Sequence, residues 1–270
     1  MAPIRLLVSD VDGTLVDKDK QLAPATADAV RRLREAGCGF TIISARPRSG
    51  MMPIADTLGL DGVLGAFNGG LVFRRNGQVV EHHVIDPDVA RGVFELVADA
   101  AVDRWVFADD RWHASTDQGV HVDHERIASN QEPVVQGSFD DLLTRADKIT
   151  FVSDDPALLK DLHERCASAF GPRATITQSQ TYHLDVTALE ANKGAGIVAL
   201  CAAAGVELAE TAAIGDQNND LPMLERAAFA IAMGNAPGNV QAAADAVTAA
   251  NDADGVARAI DELILPRLGA

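Results

Sequence analysis

Several apolar runs in this chain end in short polar segments rich in side-chain oxygen. Asp10-Val11-Asp12-Gly13-Thr14 follows the apolar run 4–8. A carboxylate leaving a buried strand can attack phosphorus and become an acyl phosphate. A second carboxylate two residues on, past a turn that glycine permits, can reach the leaving oxygen as an acid or a base. Ser44 closes the run 40–43, Asn68-Gly69-Gly70 closes 63–67, and Gly215-Asp216-Gln217-Asn218-Asn219-Asp220 closes 212–214. Lys193 opens a helical stretch just ahead of that last strand. Open parallel sheets bind ligands at the carboxyl ends of their strands. If these strands are neighbours, the polar side chains and the lysine converge on one crevice.

Simpler roles are open to several of these residues. Ser44 and Asp220 suit helix caps as well as ligand contacts. Arg46 suits a phosphate contact or a solvated surface equally. Asn68-Gly69-Gly70 reads as a tight turn. His121-Val122-Asp123-His124 lacks a cysteine or a second histidine pair at zinc-ligand spacing. Trp105 and Trp112 read as core residues in preference to a stacking platform.

The elements that must position these residues fall into three stretches. The runs 4–8, 40–43 and 63–67 read as strands, with a helical pattern from Pro24 carrying Ala25, Ala29, Val30 and Leu33 on one face and a second helix reaching Leu58. That alternation marks a right-handed parallel α/β sheet. Asn76-Gly77 then predicts a two-residue hairpin turn. From His82 to Thr187 helices alternate with short strands, Asp86-Pro87 and Asp155-Pro156 read as helix starts, and 105–107, 149–152, 174–177 and 182–186 read as strands. Eight of the twelve aromatics and all seven histidines lie there, a shift in composition that marks an inserted domain. After Lys193 the parallel rhythm returns, through strands 212–214, 229–233 and 246–248 to a last helix ending near Leu265.

The chain has 270 residues, enough to bury about three quarters of its unfolded surface without disulfides. A formal net charge of −16 argues against nucleic acid and suits a protein that collects a divalent cation. Cys38, Cys166 and Cys201 are odd in number and far apart, and read as small core residues. No stretch reaches the roughly 20 apolar residues of a membrane helix, and no basic segment precedes the first apolar run, so a cytoplasmic protein is expected.

Asp10-Val11-Asp12-Gly13-Thr14-Leu15 resembles motif I of the haloacid dehalogenase superfamily. Ser44 stands as in motif II, Asn192-Lys193-Gly194 resembles motif III, and Gly215–Asp220 resembles motif IV. Met233-Gly234-Asn235-Ala236 and Asn251-Asp252-Ala253-Asp254-Gly255-Val256 resemble the tail of its Cof-type branch. The resemblance implies a Rossmann-like α/β core over 1–81 and 188–270 and an inserted α/β cap over 82–187. It implies Asp10 as nucleophile and Asp12 as acid–base, and a Mg²⁺ held by Asp10, the Asp12 carbonyl and Asp216. Lys193, Ser44, Thr14, Arg46, Asn68 and Asn219 would meet the phosphorylated substrate, and Asp220 would support Lys193 or the metal. The implied activity is hydrolysis of small phosphorylated metabolites, sugar phosphates first, with the cap choosing the substrate about hinges near 82–86 and 187–191. A phosphomutase or phosphotransferase, or a phosphosugar binder without turnover, is the alternative.

Overall fold

The computed structural model describes residues 3–268. Along the chain the strands are β1 (Leu6–Ser9), β2 (Gly39–Ile42), β3 (Val63–Ala66), β4 (Leu71–Arg74), β5 (Val79–His82), β6 (Asp103–Ala108) and β7 (Arg111–Ala114). They continue with β8 (Val134–Val135), β9 (Ala146–Val152), β10 (Ala174–Gln180), β11 (His183–Ala188), β12 (Thr211–Gly215), β13 (Phe229–Ala232) and β14 (Ala246–Val247). The helices are α1 (Pro24–Glu35), α2 (Arg48–Thr57), α3 (Pro87–Leu96), α4 (Val122–Ser129), α5 (Pro156–Phe170), α6 (Lys193–Ala204), α7 (Leu221–Leu224), α8 (Gly238–Ala243) and α9 (Gly255–Arg258). The chain divides into two compact units, one of Met1–Ala45, Met52–Glu81 and Asn192–Ala270, the other of Arg46–Met51 and His82–Ala191.

The first unit is built on a five-stranded sheet in the order β14-β13-β12-β1-β2, whose paired strands are all parallel. β1 and β12 are buried at every position, as strands covered on both faces must be. The chain leaves β1 toward β2 on one side, and the later strands add on the other. The sheet order therefore reverses at β1, and a crevice opens at its carboxyl end. Ser9 of β1 lies level with Ile214 and Ile42, so β12, β1 and β2 end in step.

The third apolar run does not join this sheet as a full strand. Its link is one parallel bridge, Ile43 to Gly65, and β3 pairs instead antiparallel with β4 in a three-stranded sheet. The reason is local: the short turn Phe67–Gly69 returns the chain at once, and a hairpin partner forms more readily than a crossover. The turn at Asn76-Gly77 also differs from expectation. Arg74 and Gln78 pair across three residues, with only Gly77 left-handed at φ 87°. That is the three-residue hairpin loop with glycine in the left-handed place.

The second unit is a six-stranded sheet, β10-β11-β9-β6-β7-β8. One face meets α3 and α5, with Val106, Ile149, Phe151, Leu184 and Val186 packed among Val89, Val93, Leu159 and Leu162. Asp86 and Asp155 cap α3 and α5 ahead of Pro87 and Pro156, as the sequence predicts. Trp105 and Trp112 are fully buried, edge to face at 5.2 Å, which bears out their reading as core. All three cysteines are buried and free.

α6 presents Lys193 as its first residue, and the Asn192 side chain caps it by accepting from the Ala195 N–H at 2.9 Å. Asn192→Ala removes that acceptor and should lower stability by about 1 kcal/mol in urea titration. Asn192→Ser, which keeps an accepting oxygen, should recover most of it; equal losses would show that the cap carries no stability.

Candidate active site

Three carboxylates and one ammonium meet where β1 and β12 end. Lys193 Nζ donates to Asp10 Oδ1 and, at 2.5 Å, to Asp220 Oδ1. Asp220 Oδ2 accepts from the backbone N–H groups of Asp216 and Gln217, both at 2.8 Å. Asp216 Oδ1 accepts from the Thr14 hydroxyl at 2.8 Å, and its Oδ2 from the Gln217 amide at 3.2 Å. The side chains of Lys193, Asp10, Asp216 and Asp220 are all buried. Gly13 makes the approach possible: its φ is 86°, and a Cβ there would run into the Asp216 carboxylate.

The charges do not cancel. Burial, Asp220 and Asp216 lift the Asp10 carboxyl well above its ordinary value against the pull of Lys193. Burial, then Asp220, lifts Asp216 to about 6. Burial opposes the Lys193 ammonium, but Asp10 and Asp220 outweigh it and hold the charge. With all three buried carboxylates ionised, one ammonium leaves two negative charges in excess, which a divalent cation would neutralise in place of bound protons.

Carboxylate oxygens of Asp10, Asp216 and Asp220 lie within 4.8 Å of one another. Both Asp220 oxygens are already committed to donors, so Asp10 and Asp216 are the carboxylates suited to hold the cation, with Asp220 fixing Lys193 and the turn. That hard-oxygen donor set fits Mg²⁺.

Among the other sequence candidates, Ser44 is buried at the end of β2, its N–H donating to the Gly65 carbonyl and its carbonyl accepting from Asn68 N–H at 2.7 Å. Asn219 Nδ2 lies 3.5 Å from Asn68 Oδ1, so these two amides adjoin. Arg46 belongs to the second unit, buried, with Nη1 donating to the Gly50 carbonyl at 3.2 Å. Asp12 is paired with Lys20 at 2.6 Å. His121 and His124 start α4 against Tyr182, His121 on Asp154 and His124 on the tyrosine hydroxyl.

Two residues at the site were not assigned roles from sequence. Asn235 Nδ2 donates to the Gly13 carbonyl at 2.9 Å, and its Oδ1 accepts from Asn251 N–H at 3.0 Å, tying the C-terminal turns to the loop after β1. Lys20 is the other, and nothing in its neighbourhood separates it from Lys18 before the fold is known.

A family model of haloacid dehalogenase-like hydrolases matches residues 7–260. A putative phosphatase of Haemophilus influenzae is 30% identical over 260 residues, 96% of this chain and 97% of that protein. An HMP-PP phosphatase of Citrobacter koseri is 29% identical over 245 residues, 86% of this chain and 85% of its own. The chain spans 45% of a chloroplastic endoribonuclease of Arabidopsis thaliana, which it matches at 30% identity over 93% of its own length. A haloacid dehalogenase-like hydrolase of Bacteroides thetaiotaomicron superposes with a TM-score of 0.87 at 25% identity, over 96% of this chain and 99% of that one. A subclass IIB sugar phosphatase superposes with a TM-score of 0.82 at 25% identity, over 95% and 97%. Fold, site and sequence agree, and the chain belongs to the haloacid dehalogenase-like hydrolases.

The raised Asp216 carboxyl fixes the sign of a pH effect. Without metal the folded protein keeps a proton there up to about pH 6, whereas the unfolded chain releases it near 3.8. Stability in chelator should therefore fall as pH rises through that window. Mg²⁺ should raise the melting temperature more above the window than below it. Asp216→Asn should flatten the chelated profile relative to wild type and lose the Mg²⁺ shift. Thermal melts of both proteins across pH read this, and parallel profiles would contradict the burial argument.

Proposed function

We propose that this chain is a Mg²⁺-dependent phosphatase that hydrolyses small phosphorylated metabolites, sugar phosphates among them, through a phosphoryl group carried on Asp10. The observation behind this reading is the placement of Asp10 at the carboxyl end of β1, where the strand order reverses, held by Lys193, with Asp12 two residues on. Asp10 is the nucleophile. Lys193 orients it and offers positive charge to the transferring phosphoryl oxygens. Thr14, through Asp216, and Asp220, through Lys193, fix the frame. The cation, held by Asp10, Asp216 and the Asp12 carbonyl, would screen the phosphoryl charge from the carboxylates. Asp12 gives a proton to the departing alkoxide and takes one from the attacking water, with Lys20 displaced from it first. Ser44 and Asn219 donate to phosphate, with Asn68 beside Asn219.

Phosphate release from a panel of phosphorylated metabolites, in Mg²⁺ and in chelator, tests the reading. Chelation should abolish turnover and Asp10→Asn should show none. Asp12→Ala should slow a sugar phosphate by about 10²–10⁴-fold at both steps, because an alkoxide leaves poorly without a proton. Nitrophenolate needs no proton to leave, so the same variant should release about one nitrophenolate per site in a burst and then turn over slowly. Equal losses on both substrates with no burst would remove Asp12 from the chemistry.

Substrate choice is assigned to the inserted unit. Relatives named HMP-PP phosphatase and sugar phosphatase differ in the substrates their names give, which supports a selecting element apart from the phosphate-handling carboxylates. Replacing 82–187 by the corresponding segment of such a relative should change the preferred substrate and leave Asp10 essential. An unchanged preference would place selection in the first unit.

A further inference from the structure

We propose that Lys20 is a specificity-determining residue that selects substrates carrying a second anionic group beside the scissile phosphate ester. The inference rests on the phosphatase reading above and adds the class of leaving group.

The chain after β1 doubles back on itself. Asp12 bridges to Val16, and Val16 to Leu22. The tip is a tight turn in which Lys20 N–H donates to the Asp17 carbonyl at 3.1 Å and Asp17 N–H to the Gln21 carbonyl at 3.0 Å. Asp17 Oδ1 fastens it by accepting from the N–H groups of Asp19 and Gln21, both at 2.9 Å. Two lysines sit at this tip and behave differently. Lys18 pairs with Asp19 in open solvent, its side chain 87% exposed. Lys20 turns inward, 14% exposed, with its ammonium on Asp12.

The inward turn requires an unusual backbone. Lys20 has φ of 60°, a left-handed conformation that glycine or asparagine adopts with less strain. Strained backbone at a polar site is worth reading for function, and here the strain serves to aim an ammonium.

Lys193 and Lys20 also differ in what they can do. Lys193 is enclosed between Asp10 and Asp220 on the nucleophile side. Lys20 is at the accessible side, on an Asp12 side chain that is itself 25% exposed, against 7% for Asp10 and 0% for Asp220. Asp12 faces the leaving oxygen in the proposed reaction, so an ammonium on Asp12 lies beside the leaving group. A long, flexible lysine there can exchange the aspartate for an anion of the substrate. On a chain of net charge −16 that exchange gives a doubly anionic metabolite a local partner that a neutral polyol does not need. The anion can be a carboxylate or a second phosphate, because an ammonium is a point charge without the planar preference of arginine.

Matched pairs test this. 2-Phosphoglycerate and glycerol 2-phosphate share a skeleton and differ by a carboxylate in place of a hydroxymethyl group. Ethylene glycol bisphosphate against 2-hydroxyethyl phosphate, both alkyl phosphate esters, reads the second-phosphate source. Wild type in Mg²⁺ should have the higher kcat/KM for the anionic member of at least one pair, and the pair that shows it names the source. Lys20→Met should lower that ratio by about tenfold to a hundredfold, the worth of a charge-assisted contact. Lys20→Arg should keep most of it, and Lys20→Gln serves if the methionine variant does not fold. Calorimetric affinities of the same pairs for wild type and variant give the ratio independently of turnover. If wild type released phosphate from no ester, the phosphatase reading would fail while these affinities still decided the role of Lys20. No preference in wild type, or a ratio that survives both neutral variants, overturns the proposal; losses shared equally by both members would reduce Lys20 to a positioning residue for Asp12.

Discussion

Excess negative charge at one point governs this molecule. Asp10, Asp216 and Asp220 are buried about a single ammonium, and no rearrangement of hydrogen bonds among them removes the imbalance. Each neighbouring feature limits its cost. Asp220 has both oxygens saturated by donors, Thr14 and Gln217 donate to Asp216, and Lys193 is fixed from its own helix terminus. A folded state that holds such a cluster without a cation is poorer for it, and one that admits a divalent cation gains from it. The same imbalance that burdens the cluster makes it receptive to a divalent cation.

The sheet supplies the geometry with little local effort. Because β12 and β2 flank β1 and end level with it, residues from positions 10, 44 and 216 come together without long loops. The close approach is then a matter of small residues. A Cβ at Gly13 would strike the Asp216 carboxylate, so glycine lets the loops after β1 and β12 meet, and a Cβ at Gly215 would strike Asp220, so glycine there lets the second loop fold back on itself. The strand ends fix where the site lies, and Lys20, a long side chain reaching Asp12 from a turn, is suited to move.

The first unit and the acidic cluster were legible because their signals are short-range. Apolar runs of four or five residues ending in aspartate, and a capped helix opening on lysine, have few alternative readings. What could not be read depended on partners far along the chain. Nothing near Val63 says that β3 will pair with β4 in place of β2. The hairpin between β6 and β7 turns on Asp109 and Asp110, both left-handed, where sequence reading looks for glycine. α4 begins at a left-handed His121 without a side-chain cap, so its start carries no signal at all. Lys20 and Asn235 acquired meaning only from what the fold sets beside them.

The order in which the chain is made has a consequence for the central strand pair. β1 and β12 are neighbours, and Arg5 reaches Glu210 across 205 residues of sequence. The strand bearing Asp10 leaves the ribosome near the start of synthesis and waits for a partner that emerges after more than two thirds of the chain. His82–Ala191 makes up most of one compact unit and carries its own six-stranded sheet, so it can condense first as a local folding unit. Until β12 arrives, β1 has one hydrogen-bonding edge unpaired, beside the apolar residues Leu6, Leu7 and Val8. The nascent chain is therefore most prone to aggregate late in translation, and the acidic cluster, which needs residues 193, 216 and 220, can assemble only after that interval has passed.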